Sequence, residues 1–125
     1  MRIQTIPYHF SVCKVTDYSQ IDLESAFCFV AKTDEEKSLV CLTEFIPQNV
    51  MVHEDGWRAF RIQGPLDFSL IGILANITQL LANHQISLFA VSTYDTDYIL
   101  TKEESYDRAL SILARAGYEI ENEDV

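Results

Sequence analysis

Trp57-Arg58-Ala59-Phe60-Arg61-Ile62-Gln63 alternates residue by residue, with Trp57, Ala59 and Arg61 on one side and Arg58, Phe60 and Ile62 on the other. That period of two predicts a strand. Gly64-Pro65 stops it. The period then changes: Leu70, Ile73, Leu74, Ile77 and Leu81 follow helical spacing, with Asn76, Gln79 and Asn83 opposite. Ser69 or Asp67 stands where a helix cap belongs. Further on, Ile86 to Thr93 reads as a strand, Asp95-Thr96 as a turn and Asp97 to Thr101 as the next strand. Thr101-Lys102-Glu103-Glu104 has the form of a capping box and opens a second helix. The apolar face of that helix is Tyr106, Ala109, Leu110 and Leu113, and Gly117 ends it at the C′ position. Tyr118-Glu119-Ile120 is a last short strand.

The order over residues 57 to 122 is therefore β-α-β-β-α-β, the ferredoxin-like arrangement of an α+β fold. Working back from it, Pro7 to Val15 alternates Tyr8, Phe10 and Val12 against His9, Ser11 and Cys13. Residues 26 to 31 and 38 to 42 form two more strands around the charged turn Thr33-Asp34-Glu35-Glu36, and residues 43 to 56 read as a loop. The first half is thus rich in strand and poor in helix. It is read as a reduced copy of the second, which divides the chain into 1–55 and 56–125. Units of roughly 60 residues bury only about 60% of their unfolded surface, so two such halves are expected to share an interface.

The 125 residues are 48% hydrophobic, enough for a packed core. Nine Lys and Arg stand against nineteen Asp and Glu, a formal net charge of −10 with no basic stripe. Such a surface repels phosphate backbones and anionic lipid, so neither nucleic acid nor membrane is an expected partner. The opening Met1 to Pro7 lacks the apolar core of a secretory leader, and the apolar run Leu70 to Ala82 is broken by Asn76, Thr78 and Gln79. Cys13, Cys28 and Cys41 are odd in number, have no CxxC spacing and lie in expected strands, where a thiol acts as a small hydrophobe. A cytoplasmic location is the expectation. His9, His53 and His84 have no ligand spacing, so no metal and no cofactor is expected. No histidine is placed to serve Ser92 or Thr93 as a base, and the chain is not expected to be an enzyme.

Three strings resemble the ACT-domain family, in particular small bacterial amino-acid-binding proteins: Trp57 to Ser69, Ile71-Gly72-Ile73-Leu74-Ala75, and Ile86 to Leu100. The pattern is also similar to the regulatory region of aspartate kinases and to cytosolic arginine sensors. The resemblance covers roughly residues 57 to 120 and is weaker in the first half. It implies tandem ferredoxin-like ACT units paired into a continuous sheet, a homodimer or larger homo-oligomer, and a free amino acid held as regulatory ligand. The candidate ligand-binding residues are Leu70, Ile71, Gly72 and Ile73 at the strand-to-helix turn, and Thr93, Tyr94, Asp95, Thr96 and Asp97 at the strand end. Physical chemistry fits those places. A helix N-terminus suits a carboxylate, and Gly72 permits close approach to its amides. Asp95 and Asp97, two apart on a strand, share a face and suit an ammonium group. The competing expectation is a ligand-free ACT module that oligomerises or docks on a metabolic enzyme. In that case Gly72 serves only packing and Asp95 only the turn.

Overall fold

The computed structural model describes residues 2–63 and 72–122. The architecture is α+β, mostly antiparallel sheet with two α-helices. The strands are β1 (Arg2–Val15), β2 (Cys28–Lys32), β3 (Lys37–Leu42), β4 (Val50–Gln63), β5 (Leu88–Ser92), β6 (Asp97–Lys102) and β7 (Glu119–Glu121). The helices are α1 (Ile73–Asn83) and α2 (Glu103–Arg115), with one 3-10 turn at Thr43–Phe45. The chain divides into a larger unit, Met1–Pro7 with Arg58–Val125, and a smaller unit, Tyr8–Trp57. The larger unit thus takes the first seven residues as well as the C-terminal half, and β1 and β4 each contribute residues to both units.

In the larger unit the strands run β1-β4-β6-β5, and β7 pairs with β1 in parallel, Arg2 to Glu119 through Gln4 to Glu121. Helices α1 and α2 supply Ile77, Leu81, Tyr106, Ala109, Ile112 and Leu113 to a core completed by Ile3, Phe60, Ile62, Ile86 and Ile99. The helical spacing of α1 is met by buried Ile77 and Leu81. On α2 the buried face is Tyr106, Ala109, Ile112 and Leu113, with Leu110 packed at its margin. Burying a side chain of this size removes about 1.5–3 kcal/mol of exposure cost, so these residues hold the helices to the sheet. The Tyr106 hydroxyl donates to the Ala59 carbonyl at 2.6 Å, and the Arg58 guanidinium lies 4.5 Å from the centre of the Tyr106 ring.

Both helices end in the same device. Tyr118 N–H donates to Leu113 O and Gly117 N–H to Ala114 O, each at 3.1 Å, with Gly117 at φ 104°. Ile86 N–H donates to Leu81 O at 3.1 Å and Gln85 N–H to Ala82 O at 2.9 Å, with Gln85 at φ 61°. These are paired Schellman bonds that satisfy the last helical carbonyls.

The helix starts differ from the sequence-based expectation. Thr101 does not cap α2: it is fully buried at the end of β6, its hydroxyl donates to Lys102 O, and Lys102 takes the cap position. Pairing of β6 carries the chain one residue past the point where the capping box would begin. Helix α1 starts at Ile73 behind Gly72, which has φ 91° and no side-chain cap. Leu70, Ser69 and Asp67 lie outside the described residues.

In the smaller unit the order is β2-β3-β1-β4. Phe10 pairs with Leu42 and Lys14 with Ser38; Cys28 pairs with Cys41 and Lys32 with Lys37. Ser11, Cys13 and Val15 are buried on one face of β1, while on the other Phe10 is buried and meets the Phe27 ring edge-on at 5.7 Å, Val12 is half-buried and Lys14 is exposed. Residues 43 to 56 are not a loop throughout, because β4 begins at Val50. Val50-Met51-Val52 followed by His53-Glu54-Asp55 shows no apolar–polar alternation, yet β1 alongside offers a ladder for their backbone. Among the described residues this unit has no α-helix. No described helix is long and apolar enough to cross a membrane.

Candidate functional site

Arg61 and Gln63 lie two apart on β4 and so point to one face of the strand. Phe60 and Ile62 point the other way, into the core. The Arg61 Nε donates to Gln4 Oε1 at 2.7 Å, and its terminal nitrogen donates to the Tyr98 hydroxyl at 3.3 Å. The guanidinium also lies 5.9 Å from the centre of the Tyr98 ring. The Gln63 amide donates to the same Gln4 oxygen. A cation is thereby held in place by neighbours on β1 and β6 rather than left to sweep through solvent.

The tip between β5 and β6 approaches the end of β4. Thr93 N–H donates to Thr96 O at 2.8 Å and the Thr93 hydroxyl to the same oxygen at 3.1 Å. Ser92 pairs with Asp97 in the ladder, and the Ser92 hydroxyl donates to the Asp97 carboxylate at 2.6 Å. Asp95 and Thr96 then line a cleft of about 260 Å3 together with Arg61, Ile62 and Gln63. The cleft is of the size that a small metabolite needs and carries both signs of charge. Asp95 sits in the bend and Asp97 in β6, so the face-sharing rule for a regular strand does not apply to this pair. Tyr94 is fully exposed at the tip.

At the other expected place, Gly72 closes the first turn of α1: Asn76 N–H donates to Gly72 O at 2.7 Å. Its φ of 91° is one that side chains other than hydrogen adopt at a cost, and no described residue lies within 4 Å of where a Cβ would stand. Among the described residues, the backbone conformation is what favours glycine at this position. Ile73 follows as the first helical residue. Leu70 and Ile71 lie outside the described residues. Of the nine residues singled out from sequence, Asp95 and Thr96 line the cleft. Arg61, Gln63 and Gln4 were not singled out. The signal available for the first two was an Arg-x-Gln step at the end of a strand that leads into a loop.

The smaller unit holds a second polar group. The Asp55 carboxylate accepts the Ser11 hydroxyl at 2.6 Å and hydrogen-bonds His53 Nδ1 at 2.7 Å, and the Ser11 and Thr43 hydroxyls are 2.8 Å apart. The hydrogen bond to Asp55, and then its charge, raise the His53 pKa above its ordinary 6.5. No described set of three or more His, Cys, Asp or Glu is arranged to hold a metal ion.

A family model for the ACT domain matches residues 52–115. No curated protein matches the chain. Among solved structures, a protein of Agrobacterium tumefaciens is similar over 99% of this chain and 94% of its own, with 28% identity and a TM-score of 0.86. A Vibrio cholerae protein described as a possible transport protein is similar over 91% of this chain and 88% of its own, with 22% identity and a TM-score of 0.69. The regulatory subunit of aspartate kinase from Thermus thermophilus shares the fold over 94% of this chain and 97% of its own, at 9% identity and a TM-score of 0.63. ACT domains are regulatory modules that typically bind ligands. The family match spans more than half of the sequence and includes β4, α1, β5, β6 and α2, and on that ground the chain belongs to the ACT-domain family.

Proposed function

We propose that this protein is a non-catalytic regulatory module that binds a free amino acid in the cleft between the end of β4 and the β5–β6 tip. The observation that carries the reading is the presence of Arg61 and Asp95, of opposite charge, in one cleft of about 260 Å3. An α-amino acid is a zwitterion, and opposite charges on opposite walls orient it. Arg61 takes the carboxylate, which a planar guanidinium recognises well. Asp95 takes the ammonium group by a charge-assisted hydrogen bond. Thr93, Tyr94 and Thr96 supply the surrounding tip. We assign the ammonium to Asp95 rather than Asp97 because the Asp97 carboxylate already accepts the Ser92 hydroxyl. Gly72 and Ile73, with Leu70 and Ile71, stand as the second place where the ligand carboxylate can meet helix amides.

The test is calorimetric titration of the full chain with each of the twenty amino acids. Binding of one or a few at micromolar to millimolar affinity, about −8 to −4 kcal/mol, is the expected result. Absence of binding at millimolar concentration refutes the proposal and favours a ligand-free docking role. The same reading includes self-association as a homodimer. β2 and β5 each have one neighbour in their sheet order, leaving edges that a second copy can pair with. Light scattering at twice 14.3 kDa supports it, and a monomer mass at all concentrations refutes it.

A further inference from the structure

All three cysteines of the chain lie on one face of three adjacent strands of the smaller unit. Cys28 is on β2, Cys41 is directly opposite it on β3, and Cys13 is on β1. Cys13 and Cys41 are buried together with Leu39, and Cys28 packs against them with Ile21, Ile46 and Val50. Cys28 is the half-buried member and gives the group its contact with solvent; burial, and then the nearby Asp22 carboxylate, push its thiol above the ordinary range.

The register decides which pair can bridge. Directly opposed residues of an antiparallel ladder have Cα atoms about 4.5–5.5 Å apart. A disulfide needs roughly 4.4–6.8 Å. Cys28 and Cys41 meet that condition with no movement of the backbone. Cys13 faces Leu39, so it is only a diagonal neighbour of Cys41, at roughly 7–8 Å. That lies at or beyond the limit for bridging. Cys13 has another relation to Cys41. The hydrogen bond between the two thiols holds Cys13 below the ordinary thiol range and, with burial, pushes Cys41 above it. The positive charge of nearby His53 further favours the Cys13 thiolate, and the Asp55 carboxylate opposes it. The 450 Å3 cavity bordered by Cys13 and His53 also takes Val12, Lys14, Ser38, Val52 and Glu54. By strand alternation those side chains are on the opposite face from the thiols, so access is through Cys28.

We propose that Cys28 and Cys41 are an oxidative modification site, forming a cross-strand disulfide when a peroxide reaches Cys28. In the first step the Cys28 sulfur attacks the peroxide, the O–O bond breaks, and Cys28 becomes a sulfenic acid while an alcohol or water leaves. In the second, the Cys41 sulfur attacks the Cys28 sulfur, the S–O bond breaks, and the hydroxide departs as water with the Cys41 proton. Two thiols are oxidised by two electrons and one peroxide is reduced.

The experiment treats the native full chain with hydrogen peroxide, alkylates the remaining thiols after unfolding, and maps the peptides. The expected result is one free thiol at Cys13, a Cys28–Cys41 link, and its complete reversal by dithiothreitol. Cys41 is buried, so Cys28→Ser, at the half-buried position, is the variant that leaves the core in place; it forms no intrachain disulfide. Cys13→Ser still forms the link. A Cys13–Cys41 link, a disulfide only between chains, or three alkylatable thiols after peroxide overturns the proposal.

Discussion

Gln85 ends α1 in a conformation that Gly117 adopts at the end of α2, and the pair makes a controlled test of the fold. Gln85 has φ 61°, and it is the one non-glycine residue at positive φ among those described. Its N–H and that of Ile86 complete the Schellman bonds to Ala82 and Leu81. An L-residue in this left-handed region costs about 1–2 kcal/mol. Glycine there is free of that cost but loses about 0.5–1 kcal/mol more chain entropy on folding. Gln85→Gly therefore stabilises the protein by about 0.5–1 kcal/mol. For a chain of this size that is a rise in Tm of roughly 2–4 °C. Gly117→Ala is the mirror experiment. With φ 104° and no described atom within 4 Å of the added Cβ, its effect is backbone strain less the chain entropy that alanine does not lose, a net loss of about 0.5–1 kcal/mol. Paired thermal and urea melts read both. A neutral or destabilising Gln85→Gly, or a neutral Gly117→Ala, refutes the assignment of these two caps.

Other expectations follow from single contacts. Tyr106→Phe removes the 2.6 Å bond to the Ala59 carbonyl and leaves a buried acceptor without it, a loss of about 1–2 kcal/mol in urea melts with little change in m-value. If an amino acid binds, Asp95→Asn and Arg61→Gln each cost about 1.5–3 kcal/mol of calorimetric affinity, while Tyr94→Ala at the exposed tip leaves the fold unchanged by circular dichroism. His53 titrates above 6.5 because Asp55 accepts its N–H and adds its negative charge. Its pairing with Asp55 is fully present below about pH 6.5 and is lost as pH rises through the raised folded-state value. An NMR titration of His53 checks this, and Asp55→Asn is expected to bring the midpoint down. An unmoved midpoint refutes the pairing.

The strand-to-helix change of period at residues 57 to 81 and the glycine at 117 were legible because they are local. Each follows from side-chain spacing or from the conformations one residue can adopt. The ladder of β7 with Arg2 to Gln4 was not legible, since it joins the two ends of the described chain and three residues carry no pattern of their own. The strand character of Val50 to Gly56 was hidden for a related reason: an apolar triplet followed by polar residues has no period of two, and β1 alongside makes them a strand. Thr101 had the spelling of a helix cap, but pairing of β6 placed it in the core before the helix could begin.

At the candidate site the division is the same. The sequence by itself determined the α+β class, the order of the elements around the cleft, and the turn that brings Asp95 and Thr96 to a strand end, all of which depend on residues near one another in the chain. Only the tertiary structure decided that Gln4 on β1 and Tyr98 on β6 would fix Arg61 beside that turn. The physical reason is that a guanidinium is positioned by its hydrogen-bond acceptors, and these come from strands whose neighbours are chosen by the packing of the whole sheet.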